Sequence, residues 1–257
     1  MTLLPVSGVA LSVREPTGAD ELYVVETALA PTPAILGLAR CVAGTVTGQP
    51  LDWDALPATD LEAAALIIRQ SWLGDLIRTD TWCPGPGCGE RIDVSFGIGE
   101  YLRHHQPRRP RGISQGSGGG WYSLAGEAAR FRLPTVEDLM AASSCKQPAQ
   151  ELTSRCVEAP DLARALARRL DRALSALAPS LDDLLGGGCP GCGQPVTMRF
   201  DPLAYTLTEL RIAFSGIYME THALACSYGW PEDAILALPR DRRRRYVSII
   251  ADERQAG

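Results

Sequence analysis

Lysine and histidine are scarce in this chain of 257 residues. Lys146 is the only lysine among 25 lysine and arginine residues, and there are three histidines. Schiff-base chemistry needs a lysine amine, and proton transfer near neutral pH most often uses histidine. The sequence also has neither a P-loop nor a His-Glu-x-x-His pattern. We therefore expect that the protein is not an enzyme.

Long apolar runs are also missing, since none approaches the roughly 18 residues of a membrane-spanning helix. The first residues carry no basic segment and meet Pro5 at once, which is not typical of a secretory signal. Hydrophobic residues make up 46% of the chain and charged residues 21%, as in globular proteins. The formal net charge of −5 excludes a chain-wide basic surface for nucleic acid or anionic lipid. We expect a cytoplasmic protein without a membrane partner.

Four of the eight cysteines stand alone in stretches with a helical pattern. Without a secretory signal, cysteines favour free thiols or metal ligands over disulfides. An isolated free cysteine is most often a small buried hydrophobic residue. We expect this of Cys41, Cys145, Cys156 and Cys226.

The other four cysteines form two pairs, Cys83-Pro-Gly-Pro-Gly-Cys88 and Cys189-Pro-Gly-Cys192. Tetrahedral zinc takes four soft ligands, which two tight turns supply as two pairs of thiolates. Each pair is followed by a glycine, and a positive φ at that position would turn backbone N–H groups toward sulfur. The sequence therefore predicts one structural Zn²⁺ held by Cys83, Cys88, Cys189 and Cys192.

The residues after each pair strengthen this prediction. Residues 88–96 align without a gap on residues 192–200, and both stretches alternate apolar and polar residues before a phenylalanine. Such alternation indicates a half-buried strand, and two turns of this kind converging on one ion make a zinc ribbon. A redox pair at 189–192 is an alternative, but such a pair normally opens a helix. Catalytic zinc is the other alternative, although four thiolates leave no open ligand position and no histidine has ligand spacing from either pair.

The chain is expected to be α+β, a split zinc-ribbon β-domain with a helical insertion and a C-terminal helical arm. Residues 1–80 form an N-terminal mixed segment with strands at 9–13 and 22–25 and a long helix to about residue 77. Thr59 and Glu62 form the capping box of that helix, and Trp72 and Trp82 pack there. The remaining segments are 81–134 (first cysteine pair, flexible loop 104–120, hairpin), 135–185 (helical insertion), 186–206 (second pair and strand) and 207–257 (helical arm).

The arm is the most regular part of the sequence. A 4-3-4-3-4 spacing predicts one mostly apolar helical seam along Leu210, Phe214, Ile217, Thr221, Leu224 and Tyr228. An arginine-rich run follows from Arg240 to Arg245. In a helix these arginines point in several directions and no aromatic residue is interleaved, so a salt-bridged or partner-facing surface is favoured over nucleic-acid binding.

Three stretches go beyond these patterns. They are Arg14-Glu-Pro-Thr-Gly-Ala-Asp-Glu21, Arg132-Leu-Pro-Thr-Val-Glu-Asp-Leu139, and His222-Ala-Leu-Ala-Cys-Ser-Tyr-Gly-Trp-Pro-Glu-Asp-Ala-Ile-Leu-Ala-Leu-Pro-Arg240 with the arginine run and Tyr246. In this order, with the cysteine pairs between them, they resemble the T-even-type phage baseplate hub assembly chaperone family. That family belongs to contractile-tailed phages and to phage-tail-like contractile injection systems of bacteria.

The resemblance implies a non-enzymatic assembly chaperone or structural component of a baseplate. The implied partners are baseplate or hub and spike proteins, and the implied location is the cytoplasm of a bacterial host. The resemblance is compatible both with a protein that leaves after assembly and with one that stays in the assembled particle. The implied partner-binding residues are Trp230, Arg240, Arg242, Arg243, Arg244, Arg245 and Tyr246. The alternative is a zinc-ribbon nucleic-acid-binding regulator that uses the arginine run and the loop at 107–111.

Overall fold

The computed structural model describes residues 2–116, 120–160 and 162–256. Within these ranges helix accounts for 48% and strand for 21%, and the strands pair antiparallel in four separate sheets. The predicted α+β class is confirmed. No helix in these ranges combines the length and the apolar character needed to cross a membrane.

The secondary structure divides at the two cysteine pairs. Before the first pair lie β1 (Thr2–Leu3), β2 (Ala10–Val13), α1 (Gly18–Glu26), α2 (Pro31–Val42), β3 (Ala43–Thr45), α3 (Ala58–Leu73) and β4 (Leu76–Trp82). Between the pairs lie β5 (Arg91–Gly97), α4 (Ile98–His104), β6 (Ile113–Gln115), β7 (Trp121–Leu124), β8 (Arg130–Arg132), α5 (Val136–Ser143), α6 (Pro148–Cys156), β9 (Val157–Glu158), α7 (Arg164–Leu177) and β10 (Asp183–Gly188). After the second pair lie β11 (Pro195–Phe200), α8 (Pro202–Phe214), α9 (Ile217–Tyr228), α10 (Glu232–Leu236) and α11 (Arg240–Ala256).

The main core surrounds α8, which packs against α1, α2 and α3. The hairpins β4–β5 and β10–β11 are rooted in the same core at the ends away from their cysteines. There Phe96 of β5 meets Phe200 of β11 edge to face, with 5.1 Å between ring centroids. Because both hairpins start from one packed base, their tips are directed to a common point.

A second, smaller core lies in the insertion. The sheet β6–β7–β8–β9 is covered by α7, and Leu124 and Phe131 pack against Leu170, Ala173 and Leu177 of that helix. This unit between the two cysteine pairs therefore has buried apolar contacts of its own.

Two of the three stretches that carry the family resemblance each cap a helix, and the two caps are built in the same way. The Thr135 side chain accepts the backbone N–H of Asp138, and the Asp138 carboxylate accepts the N–H of Thr135 and two bonds from Arg132. Burial raises the pKa of Asp138, but hydrogen bonds from Arg132 and Thr135 outweigh it and hold that pKa far below its usual value. The first stretch repeats the arrangement with Arg14, Thr17 and Asp20.

Local expectations in the N-terminal segment are wrong at two places. Residues 22–25 belong to α1, because the cap at Thr17 starts a helix directly after the turn. The long helix ends at Leu73, and its expected capping box does not form: Pro57 is the N-cap, and Glu62 instead accepts the N–H of Leu181 at 2.7 Å. A tertiary partner has taken the carboxylate that local pattern assigned to the helix end.

Three further expectations need correction. Trp82 ends β4 with 63% of its surface exposed and does not pack on α3. Residues 113–115 of the expected flexible loop 104–120 form a strand paired with β7, while 117–119 lie outside the described residues. The seam expected as one helix over 210–228 is divided into α8 and α9 at Ser215 and Gly216, and α8 belongs to the main core rather than to an arm.

Candidate metal centre

Each cysteine pair sits at the tip of one of the two long hairpins, and the two tips are built alike. The Cys83 N–H donates to the carbonyl of Glu90 at 2.8 Å, and the Cys189 N–H donates to the carbonyl of Gln194 at 2.9 Å. Glu90 and Gln194 are the residues that the gap-free alignment of the two stretches matches. The strands expected after each pair are present as β5 and β11.

Glycines shape the two turns as expected. Gly89 and Gly193, directly after the second cysteine of each pair, have φ values of 61° and 74°. The longer first turn carries a further left-handed residue, Gly87, with φ 73°. A Cβ on Gly85 would lie 3.3 Å from the sulfurs of both Cys83 and Cys192, so a side chain there would crowd the cluster.

The four sulfur atoms converge on one point. The Cys83 and Cys192 Sγ atoms are 3.5 Å apart, those of Cys88 and Cys189 are 3.7 Å apart, and all four lie within 4.8 Å of one another. The distances are far longer than the roughly 2.05 Å of a disulfide. A tetrahedral site with metal–sulfur bonds of about 2.3 Å has sulfur–sulfur edges of about 3.8 Å. The arrangement therefore fits four thiolates around one ion.

The thiols differ in their surroundings. Cys83 and Cys189 are buried, Cys88 is half-buried and Cys192 is exposed. Backbone N–H groups of Cys192 and Gly191 lower the pKa of Cys189 to about 7. The N–H of Gly85 has the same effect on Cys83, but burial and the neighbouring thiols outweigh it and raise the pKa of Cys83 to about 12. A bound cation would remove this conflict, because it stabilises all four thiolates together.

The isolated cysteines follow their prediction only in part. Cys156 is buried, next to Asp138. Cys41, Cys145 and Cys226 are exposed, which contradicts the expectation of buried hydrophobic residues. Cys41 and Cys226 lie on α2 and α9, and Cys145 lies two residues after the end of α5. The helical pattern alone does not determine which of these positions are exposed.

The expectation that the chain contains no Gly-x-Ser-x-Gly pattern is wrong, because the insertion contains one. Residues 112–116 spell Gly-Ile-Ser-Gln-Gly, which matches the Gly-x-Ser-x-Gly pattern of a nucleophile elbow. An elbow is a sharp turn from strand to helix, whereas Ser114 lies inside β6 opposite Ser123 of β7. The match is therefore one of spelling and not of structure.

The aromatic residues expected to bind a partner lie together in the C-terminal segment. Trp230 stacks on Tyr228 with 5.0 Å between ring centroids and meets Tyr246 edge to face at 5.1 Å. Trp230 and Tyr246 are half-buried and Tyr228 is exposed. This aromatic group packs beside Leu224, Ile235 and Ile250, which join α9, α10 and α11.

The arginine run is divided between the interior and the surface. Arg243 is fully buried, and its guanidinium bonds to Glu21 at 2.6 Å and to Glu220 at 3.3 Å. Arg240 is mostly buried and bonds to the carbonyl of Ala213. The prediction that the whole run faces a partner is therefore wrong for Arg243 and Arg240, because their charges are occupied within the molecule.

Three of the five arginines in the run lie on the surface. Arg244 is about half exposed and bonds to Glu220 at 3.2 Å, while Arg242 and Arg245 are exposed. The partners of the buried arginines were missed by the sequence analysis, although Glu21 closes the first of the three resembling stretches.

The first and third stretches meet in space. Thr17 forms a bridge with Pro239, and a Cβ on Gly18 would lie 2.8 Å from the Cα of Leu236. The Arg243–Glu21 pair lies at the same junction. The residues that carry the resemblance thus join the C-terminal segment to α1.

Comparisons of the chain with family models, with curated proteins and with solved structures find no match.

Proposed function

We propose that the protein is a non-enzymatic assembly chaperone or structural component of the baseplate of a contractile phage tail or phage-tail-like injection system, and that its cysteine cluster is a zinc ribbon with one structural Zn²⁺. The sequence resemblance of the three stretches supports the baseplate role. The thiol geometry supports the structural metal.

The single observation that carries the metal assignment is the spacing of the four sulfurs, 3.5 and 3.7 Å within two pairs and at most 4.8 Å overall. Soft thiolates in a tetrahedron select zinc or an iron–sulfur centre, and two short turns with two cysteines each are typical of structural zinc. Four thiolates fill the tetrahedron. The ion in this proposal fastens the two hairpin tips and takes no part in a reaction.

The position of the cluster supports a role in holding a shape for partners. It joins chain segments 101 and 109 residues apart and closes the loop that carries the smaller core of the insertion. An assembly protein has to present a fixed surface, and a cross-link between the two hairpin tips restricts how the hairpins move relative to each other.

The proposed partner surface of the C-terminal segment contains fewer residues than the sequence alone implied. Trp230 and Tyr246 with the exposed Arg242 and Arg245 form the proposed docking surface for a baseplate, hub or spike protein. Arg243 anchors this surface to α1 through Glu21. In this proposal the protein works in the cytoplasm of the bacterial host, where tails are assembled.

The test is affinity capture of the tagged protein from cells that carry its gene, with identification by mass spectrometry. Baseplate, hub or spike proteins should be enriched, and Arg242→Glu with Arg245→Glu should reduce their recovery. Arg78→Glu with Arg103→Glu, which changes two exposed arginines outside the docking surface, is the matched control for the change in charge. Recovery of polymerase or nuclease-sensitive nucleic acid in their place would support the zinc-ribbon nucleic-acid regulator and would contradict the baseplate role.

A further inference from the structure

Six exposed arginines lie on α7 and on the segment that leads into β6. We call this surface the arginine face; its members are Arg108, Arg109, Arg111, Arg164, Arg168 and Arg172. Among the described residues none of the six lies within 4.0 Å of a carboxylate oxygen, whereas neighbouring Arg169 is paired with Glu127. Asp171 is the acidic residue that α7 places among them. The face is therefore a local concentration of positive charge on a chain whose net charge is −5.

The charges of α7 are arranged against the preference of the helix itself. The helix begins at Arg164 and has no acidic residue in its first turn, although the N-terminal end of a helix favours negative charge. Arg164, Arg168 and Arg172 follow at intervals of four, which places like charges side by side on one face. An arrangement that local energetics disfavours is expected where function requires it.

A cleft with an apolar floor lies beside these arginines. Its volume is about 310 Å³, its floor includes Ile113, Leu124 and Ala173, and Arg111 and Arg172 stand at its rim. The N–H of Arg108 donates to the carbonyl of Ala176 at 2.6 Å and holds the segment before β6 against α7. The cleft is thus formed before any partner arrives, which lowers the entropic cost of binding.

A second cleft of about 450 Å³ adjoins the first through Arg172, which lines both. Arg108 and Gln106 also line it, together with Asp171 and with Asp183, which is bonded to His105. The two clefts share this arginine, so an elongated ligand could follow the surface of α7 past it.

We propose that the arginine face binds an acidic segment of a partner protein, whose carboxylates pair with the arginines while one apolar side chain enters the cleft with the Ile113, Leu124 and Ala173 floor. Guanidinium groups match carboxylates with two parallel hydrogen bonds. Burying an aliphatic side chain against an apolar floor is favourable, whereas a phosphate group gains no binding free energy from such a contact. Neither cleft is lined by Phe, Tyr or Trp among the described residues, so the stacking platform typical of single-stranded nucleic-acid binding is not part of this surface.

This proposal stands apart from the metal centre and from the docking surface at Trp230 and Tyr246. The arginine face belongs to the insertion, and its recognition chemistry depends on the exposed guanidinium groups and the cleft alone. Failure of the baseplate proposal would leave it unchanged, and its own failure would not affect that proposal.

The test is fluorescence anisotropy with the full-length protein at low salt. The probe is a short fluorescein-labelled peptide of glutamates around one leucine, and the comparison probes are the same peptide with serine for leucine and a single-stranded oligonucleotide of equal charge. The variant is Arg168→Gln with Arg172→Gln. The matched control is Arg78→Gln with Arg199→Gln, which removes the same charge from two exposed arginines on β4 and β11, outside both proposed binding surfaces.

The leucine peptide should bind the wild type. Its dissociation constant should rise roughly fivefold or more in the arginine-face variant, because two ion pairs are lost. In the control variant the dissociation constant should stay within about twofold of the wild-type value. The serine peptide should bind more weakly than the leucine peptide. Absence of peptide binding, equal weakening in both variants, equal affinity for the two peptides, or tighter binding of the oligonucleotide than of the leucine peptide would each overturn the proposal.

Discussion

Replacing Cys189 and Cys192 together with serine should remove the metal and strongly destabilise the protein. Serine keeps the size of the side chain but offers no thiolate, so two of the four ligands are lost. The remaining Cys83 and Cys88 form one pair on one hairpin tip and cannot fasten the two tips together.

The magnitude follows from the length of chain that the ion closes. The shorter of the two cross-links, from Cys88 to Cys189, spans 101 residues. Closing a loop of about 100 residues is worth about 4.7 kcal/mol in the chain-entropy model of cross-links. This value is the lower limit of the loss in stability, because it assumes that the ion stays bound when the wild-type chain unfolds. Loss of the whole binding free energy of a structural zinc is on the order of 10 kcal/mol.

A loss of about 5 kcal/mol should lower Tm by roughly 10–20 °C for a chain of this size. The assay is metal content by mass spectrometry of the purified protein together with thermal unfolding. The matched control is Cys41→Ser with Cys145→Ser, which also removes two thiols but from exposed positions. The control should keep one zinc per chain and a nearly unchanged Tm.

Two results would refute the reasoning. One zinc per chain in the Cys189→Ser, Cys192→Ser protein would mean that the ion is held elsewhere. Loss of the ion with an unchanged Tm would mean that the hairpin tips are held together by the protein alone and that the metal is not structural.

The cluster of four cysteines was predictable because its signals are local. Two cysteines in a tight turn, a glycine with positive φ and an alternating strand each depend on fewer than about ten consecutive residues, and their repetition predicts that the two turns converge. The helix cap at Thr135 was predictable for the same reason, because a capping box needs only a threonine and an acid three residues later.

The missed features depend on residues far apart in the sequence. Glu62 has the spacing of a capping box, yet it bonds to Leu181, 119 residues away. Arg243 looks like one surface charge among several, yet it pairs in the interior with Glu21, 222 residues away. Local pattern contains no information about such partners, and a run of arginines is solvated in most proteins. The buried member of the run could be identified only once α1 and α11 were placed side by side.

The same two carboxylates give the remaining predictions. Burial raises the pKa of Glu62 from 4.5 to about 7. Between these two pH values the native state holds a proton that the unfolded chain has lost. The free energy of unfolding should therefore fall by up to roughly 3 kcal/mol as pH rises through this range. Glu62→Gln, which keeps an acceptor for the N–H of Leu181, should remove this part of the fall in urea titrations at pH 5 and pH 8; an unchanged pH dependence would contradict the assignment. Arg243→Met should cost about 3–5 kcal/mol in urea unfolding, because it leaves the carboxylate of Glu21 buried without its ion pair, whereas the exposed Arg242→Met should change stability by less than about 0.5 kcal/mol. Equal effects of the two arginine variants would show that the C-terminal segment is not anchored through Arg243.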